Sequence, residues 1–411
     1  MIARITLENF FSFGDPVSVE LNPDINVLVG INGSGKSNFL KAIFLLSESI
    51  TGEGFEKVFL KDWGGFRNVR NFTDNDEDKP IRLTFTFDKE AINEAVNYQG
   101  FQFPFDPVYQ LTINPIGSTA YYLKESIFYI DSILQMQVPL KLMEMENATG
   151  FITITQNGEN TVQNYTQGNT PIGFKTTEPV LRQISEPDRF ALIFTLKRAI
   201  ETMAFYNPFD TTPNSPVRQL TNNGTEEKLL SNAGNLMPIL NRIKNHYAID
   251  YDKIEEYVRK INPHFKDIGF DLVGSKFFMV LREQFLAKSI PIDNISGGTL
   301  QYLCLLAICF NPKRGSIICL DEPEIGLHPD MIHSIAEAFK AASRGNTQFI
   351  IATHSPLFLN DFELDEVLIF EKNDQNQSIV SEKLADDFED WNENYLSGQL
   401  WLRGLIGGKR W

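Results

Sequence analysis

Cysteine is scarce in this 411-residue chain, which holds only three, and no two of them form a CxxC pair. That spacing gives no support to a structural zinc site or a dithiol redox pair. Cys304, Cys309 and Cys319 all fall in apolar runs, where thiols pack as small hydrophobes. Histidine is nearly as sparse at five, and His246, His264 and His333 suggest no metal site. No apolar run approaches the roughly 18 residues needed to span a bilayer. The first residues, Met1-Ile-Ala-Arg-Ile-Thr-Leu7, alternate like a strand and lack the pattern of a secretory signal. A soluble cytoplasmic protein is expected. Positive charge is in deficit, since 37 Lys and Arg face 53 Asp and Glu for a net charge of −16. Such a balance disfavours a bulk electrostatic grip on nucleic acid. Sustained heptads and internal repeats are missing too, which excludes a long coiled coil.

One complete motif stands against these absences. Gly30-Ile-Asn-Gly-Ser-Gly-Lys-Ser37 follows the apolar run Ile25–Val29 and precedes a helical pattern from Asn38 to Leu46. Strand, glycine loop and helix in that order are the context of a phosphate-binding loop. Gly30, Gly33 and Gly35 let backbone N–H groups turn inward around phosphate oxygens, and the helix N-terminus adds partial positive charge. Asn32, Ser34 and Asn38 complete the expected ATP-binding stretch. Lys36 reaches the β- and γ-phosphates, and the Ser37 hydroxyl ligates Mg2+.

Three further elements lie near the other end of the chain. Ile317-Ile-Cys-Leu-Asp321-Glu322 is an apolar strand ending in two carboxylates, at the strand end where α/β sheets bind ligands. Asp321 suits Mg2+, a hard cation that takes oxygen ligands. Glu322 is placed to orient or deprotonate an attacking water. Ser296, Gly297 and Gly298 open an apolar helix, Leu300–Phe310, and make a second anion-binding helix start. Ser296 lies 25 residues before Asp321. Phe349–Thr353 is a third apolar strand, and His354 at its end can hydrogen-bond a γ-phosphate. His328 is expected to shape the turn after the acid pair.

These elements in this order resemble the ABC-type ATPase heads of the SMC, RecF and OLD-like superfamily. Gly30–Ser37 matches Walker A, Ser296–Gly298 the signature and Leu320–Glu322 Walker B. Glu324-Ile-Gly-Leu-His-Pro329 is similar to the D-loop of the OLD-like branch, and Thr353-His354-Ser-Pro matches its switch histidine. The resemblance covers residues 1–90 and 266–411 closely and the middle loosely. It implies an α/β P-loop ABC-type head with an added antiparallel β-subdomain and a helical insertion. It also implies an ATPase, forming ADP and phosphate, whose heads dimerise head to tail when ATP is bound. Lys36, Glu322 and His354 are then the catalytic residues, while Ser296–Gly298 act in trans on the partner's ATP. The Q-loop glutamine is not placed among Gln99, Gln102 and Gln110.

The expected organisation is a first ATPase lobe over 1–180, a helical insertion over 185–265 for dimerisation or partner docking, and a second lobe over 266–411. Strands are expected at Ile2–Leu7, Val17–Leu21, Ile81–Phe87, Val108–Ile113, Ala120–Ile130, Phe151–Thr155, Phe270–Val273 and Phe277–Arg282. Helices are expected at Phe190–Ile200, Glu226–Tyr247 and Lys253–Ile261, with the turn-rich Asn207–Gly224 between them. Lys36 and Ser296 are 260 residues apart, farther than the resemblance to transporter subunits implies. Only 57 residues follow His354, too few for the TOPRIM nuclease domain of full-length OLD-like proteins. The acidic run Asp386–Asp390 reads as a solvated turn, and Lys197-Arg198 and Lys313-Arg314 as solvated surface. The tail Gln399–Trp411 suits partner docking, base stacking or attachment to the head equally. The resulting expectation is a nucleotide-gated dimeric switch or scaffold for a separately encoded effector such as a nuclease, in bacterial anti-phage defence. The alternative is a DNA-binding clamp for repair or recombination.

Overall fold

Ile81, Leu83, Phe85 and Phe87 are each at most 1% exposed, while the residues between them are half-buried. This period of two marks a strand covered on one face, and it sits inside an eight-stranded antiparallel sheet. The computed structural model describes residues 1–73, 76–96, 102–117, 120–129, 140–156, 159–166, 173–222, 224–273, 276–388 and 396–407. They divide into two compact units, and each is built from separated pieces of chain.

The first unit comprises Met1–Pro23, Gly30–Met203 and Ile369–Ser381. Its strands are β1 (Ile2–Glu8), β2 (Val17–Glu20), β4 (Ile81–Phe87), β5 (Pro107–Ile116), β6 (Ala120–Tyr129), β7 (Leu140–Glu146), β8 (Thr149–Gln156) and β9 (Glu159–Tyr165); β3 (Ile25–Val29) belongs to the second unit. They run side by side in the order β2-β1-β4-β5-β6-β7-β8-β9. β7 and β9 lie outside the runs expected from sequence. β9 is the edge strand of the sheet, and its Thr161, Val162 and Asn164 are exposed. An edge held by backbone bonds needs no apolar face of its own.

Helix α1 (Lys36–Ile50) buries Phe39, Ile43, Leu46 and Ile50 at helical spacing. A seven-residue π-helix at Glu56–Asp62 precedes two glycines, Gly64 and Gly65, with positive φ. Inside the sheet, the buried Glu125 accepts hydrogen bonds from Tyr109 Oη at 2.9 Å and from the backbone N–H groups of Val180 and Leu181. Burial outweighs these bonds and pushes its carboxyl up to about 7.

The second unit comprises Asp24–Val29, Ala204–Leu368 and Glu382–Trp411. Its core is a run of parallel strands in the order Ala204–Tyr206, Ile317–Asp321, Gln348–Thr353 and β3. Every residue of β3 and of Gln348–Thr353 is buried, as expected of strands covered on both faces. The helix Gly297–Phe310 is buried at every residue from Leu300 onward, and Cys304, Cys309 and Cys319 are all buried free thiols. Burial raises all three thiols well above the ordinary range. Phe265–Val273 and Lys276–Glu283 form a separate antiparallel hairpin.

The helix expected over Glu226–Tyr247 is shorter, spanning Leu236–His246. Upstream, Asn235 bridges Leu230 N–H and Lys228 O, Ala233 takes φ +53, and Arg242 donates to Glu226 O and Gly224 O. These side-chain bonds offer the backbone an alternative to the helix. Of the stretch expected as an insertion, the helix Ala191–Glu201 lies in the first unit; Leu236–His246 and Ala248–Ile261 lie in the second.

Two of the basic residues expected at the surface are instead half-buried. Lys197 donates to Arg182 O and Ile184 O at 2.6 and 2.7 Å, and burial lowers its pKa. Arg314 donates to Ala342 O and to Thr347 Oγ1, each at 2.9 Å. Asp386 and Asp387 are exposed, while Glu389 and Asp390 lie outside the described residues. In the tail, Leu400 and Ile406 are buried, and residues 408–411 are outside the described set. No described helix is long and apolar enough to cross a membrane.

Candidate functional site

The glycine loop in the first unit is shaped by close approach. A Cβ at Gly30 would sit 2.3 Å from Phe370 O, and one at Gly35 would sit 2.2 Å from Ser378 Oγ. Gly33 and Gly35 take φ +81 and +114, conformations that glycine alone adopts without strain. Ser378 Oγ donates to Ser34 O at 2.6 Å and lies 2.7 Å from Ser12 Oγ, which also accepts from Asn38 Nδ2 at 2.9 Å. The loop is thus tied down by two serines that carry no motif signal, one of them 344 residues away along the chain.

Asn32, Gly33 and Ser37 are exposed, whereas Lys36 is only 7% exposed. Lys36 Nζ donates to Gly30 O at 2.8 Å and to Ile31 O at 3.4 Å, so its ammonium is folded across the loop. The buried Ser34 Oγ has no hydrogen-bond partner among the described residues. An ammonium, an orphaned hydroxyl and a positive-φ glycine turn are the donors that a phosphate group requires.

In the second unit, strand register aligns the other motifs. Asp321 lies opposite Ala352, and Thr353 lies opposite Val29. The residues that follow these strand ends are Glu322, His354 and Gly30. Three motif strands therefore end together at their carboxyl ends, the position where α/β sheets bind ligands.

Glu322 leaves its strand with φ +51, a left-handed conformation that is uncommon outside glycine. Its N–H donates to Ala352 O at 2.8 Å, and its carbonyl accepts from Ile325 N–H at 3.1 Å, which holds the turn. The turned carboxylate meets His354, with Nδ1 2.7 Å from Oε1. A carboxylate oxygen accepts there, which places the hydrogen on Nδ1.

Glu324 is a site residue that motif reading left without a role. It is buried, Thr353 Oγ1 donates to its Oε1, and its Oε2 has no partner among the described residues. Burial raises its pKa, against the lowering effect of the Thr353 bond. Thr353 Oγ1 in turn accepts from Ser355 N–H at 3.0 Å, so Glu324 braces the backbone on both sides of His354. In the sequence Glu324 opens the run that is similar to a D-loop, a match that gives its carboxylate no partner.

Ser296 caps its helix, accepting from Thr299 N–H at 3.1 Å. A Cβ at Gly298 would lie 2.8 Å from Gly326 O. The buried Gln301 accepts from Phe209 N–H at 3.1 Å and donates to Pro323 O at 3.4 Å. The helix opening at Ser296–Gly298 and the turn after Glu322 are therefore packed as one block.

The remaining candidates are dispersed. His328 caps the helix Pro329–Ser343, and His333 pairs with Asp361 and Glu337. Gln110 donates to Thr84 Oγ1 at 3.1 Å, Gln102 is exposed, and Gln99 lies outside the described residues. Among the described residues, no group of three or more His, Cys, Asp or Glu could hold a metal ion. Ser37 in the first unit carries a hydroxyl oxygen and Asp321 in the second a carboxylate oxygen, each of a kind that Mg2+ accepts as a ligand.

Comparison with known proteins bears on this arrangement. A family profile described as an AAA ATPase domain matches residues 1–359. Among solved structures, the chain is similar to an SmcHead bound to the C-winged helix domain of ScpA, with a TM-score of 0.55 and 14% identity over 94% of this chain and 99% of that one. It is also similar to an Smc head domain with an extended coiled coil bound to the C-terminal domain of ScpA, from Pyrococcus furiosus. That TM-score is 0.52, at 13% identity over 94% of this chain and 97% of the other. These likenesses establish the fold. A curated relative, Urease accessory protein 2 of Cryptococcus neoformans var. grubii, is 52% identical over 52 residues, which is 12% of this chain. The match spans 4% of that relative's length.

Proposed function

The chain belongs to the AAA ATPase domain family and has the α/β fold of SMC heads, and from that premise we propose that it hydrolyses ATP to ADP and phosphate while closing and opening a head-to-tail homodimer. The observation that carries this reading is the common end of three strands, which are followed by Gly30, Glu322 and His354.

In this reading the loop Gly30–Asn38, including Asn32, Gly33, Ser34, Gly35 and Ser37, binds the phosphates through backbone N–H groups. Lys36 exchanges its carbonyl partners for phosphate oxygens, a charge-assisted bond in place of neutral ones. Glu322 accepts the proton of the attacking water. His354, oriented by Glu322 through Nδ1–H, donates through Nε2–H to the γ-phosphate when both ring nitrogens carry hydrogen. Ser37 and Asp321 would hold Mg2+, which supplies neutralisation of phosphate charge. Ser296, Gly297 and Gly298 of the partner subunit complete the site, so ATP favours the closed dimer over the open monomers.

The cycle serves as a nucleotide-gated scaffold for a separate effector, such as a nuclease, in bacterial anti-phage defence of the OLD-like type, in the cytoplasm. The net charge of −16 favours this over a DNA clamp. The test is sedimentation velocity on the Glu322→Gln protein with and without Mg-ATP, with duplex DNA added in a second series. An ATP-dependent dimer with no affinity for DNA is expected. A monomer under both conditions would defeat the dimer switch, and saturable ATP-dependent DNA binding would replace the scaffold with the clamp.

A further inference from the structure

The turn-rich stretch Asn207–Gly224 holds an arginine that is bonded to the turn leading into Ser296. Arg218 is 9% exposed. Its Nε donates to Thr211 O at 2.9 Å, Nη1 to Ile292 O at 2.6 Å and to Asp293 O at 3.2 Å, and Nη2 to Ile295 O at 2.9 Å. Three of these four carbonyls belong to the turn that runs directly into Ser296. The fourth belongs to Thr211, whose Oγ1 would lie 2.8 Å from a Cβ at Gly297. One planar guanidinium therefore fixes both the turn before the signature and the wall behind its first glycine.

Every acceptor is a neutral carbonyl, and no described carboxylate forms an ion pair with Arg218. A buried cation without a counter-charge is costly, and carbonyl dipoles offset only part of that cost. The same positive charge adds to the partial charge of the helix N-terminus that begins at Ser296. An anion arriving at Ser296–Gly298 would supply what the guanidinium lacks.

We propose that Arg218 is a positioning residue for trans recognition of phosphate: it holds Ser296–Gly298 in shape and lends them a buried charge that is balanced when the γ-phosphate of the partner's ATP docks. This rests on the reading of Ser296–Gly298 as the element that closes the partner's site. ATP-driven dimerisation then depends on Arg218, while nucleotide capture by the chain's own glycine loop does not. Lysine keeps the charge but cannot form the fork, and glutamine keeps a donor but loses the charge.

The test measures the dimer dissociation constant in Mg-ATP for full-length Glu322→Gln protein carrying Arg218→Lys, Arg218→Gln or Ser296→Arg. Affinity of each monomer for a fluorescent ATP analogue is measured in parallel. Arg218→Gln should weaken dimerisation by about 30-fold or more and Arg218→Lys by an intermediate factor, each a loss in the range of charged hydrogen bonds. Analogue affinity should stay within about twofold of the parent, because no bond of the loop is touched. The proposal is overturned if Arg218→Gln dimerises like the parent, or if Lys is no better than Gln. Should the Gln variant fail to fold, parent-like dimerisation by Arg218→Lys overturns it instead. Parent-like dimerisation by Ser296→Arg would indict the trans reading of the signature rather than the role of Arg218.

Discussion

His354 Nδ1 lies 2.7 Å from Glu322 Oε1, so the histidine proposed as the switch is anchored to the carboxylate proposed as the base. The two side chains leave adjacent strands, and the left-handed turn at Glu322 is what aims one at the other. Replacing Glu322 by Gln keeps the shape and removes the base. Steady-state turnover at saturating ATP should fall by about 10²–10⁴-fold, the usual contribution of general base catalysis, with ATP affinity retained. A normal rate would reassign the base.

His354→Ala leaves Glu322 in place but removes the proposed phosphate contact and the partner that orients the carboxylate. Turnover should fall by about 10–100-fold, less than for Glu322→Gln, consistent with the loss of one charged hydrogen bond. Comparison of the two variants in one assay checks the order.

Ser378→Ala removes the bond to Ser34 O and the contact with Ser12. One buried hydrogen bond contributes about 0.5–1.5 kcal/mol, so nucleotide affinity should weaken by about 3- to 10-fold. Titration with a fluorescent ATP analogue reads this directly. An unchanged affinity would mean that the glycine loop keeps its shape without the Ser378 bond.

Gly298→Ala places a methyl group 2.8 Å from Gly326 O, with backbone on both sides. The packed block must open, at a cost of about 1–3 kcal/mol. Turnover is expected to drop sharply while nucleotide binding by the monomer holds. Parallel turnover and binding measurements separate the two.

Glu125 sets a pH dependence of stability. Its carboxyl rises to about 7 in the folded protein because it is buried. The folded state keeps the proton where the unfolded chain has lost it, so this stabilising contribution is complete below about pH 4.5 and is lost as pH rises through 7. Glu125→Gln should remove that component, making the variant more stable relative to the parent at pH 8 than at pH 5. Urea titrations at the two values decide it, and an equal difference at both would disprove the assignment.

Where the sequence carried a local pattern, the fold could be read from it. The alternation at Ile81–Phe87 became a strand with those bounds, and the apolar run Ile317–Glu322 became one that stops a residue earlier, at Asp321. Local pattern misled at Glu226–Asn235, where helical spacing yields to the Asn235 bridge. It was silent at β9, which needs no apolar face. The motif residues of the site were visible because glycine loops and terminal carboxylates have short-range signatures. Ser12, Ser378 and Arg218 were not, because each matters through a partner far along the chain, and one sequence carries no record of such partners.

The dependence of the glycine loop on Ser378 has a consequence for biosynthesis. A ribosome makes Gly30–Ser37 more than three hundred residues before the segment Ile369–Ser381 that completes the first unit. At about 5–20 residues per second, the loop waits tens of seconds for that support. A nascent chain that still lacks this segment is therefore expected to hold nucleotide more weakly than one that has it, by the factor predicted for Ser378→Ala.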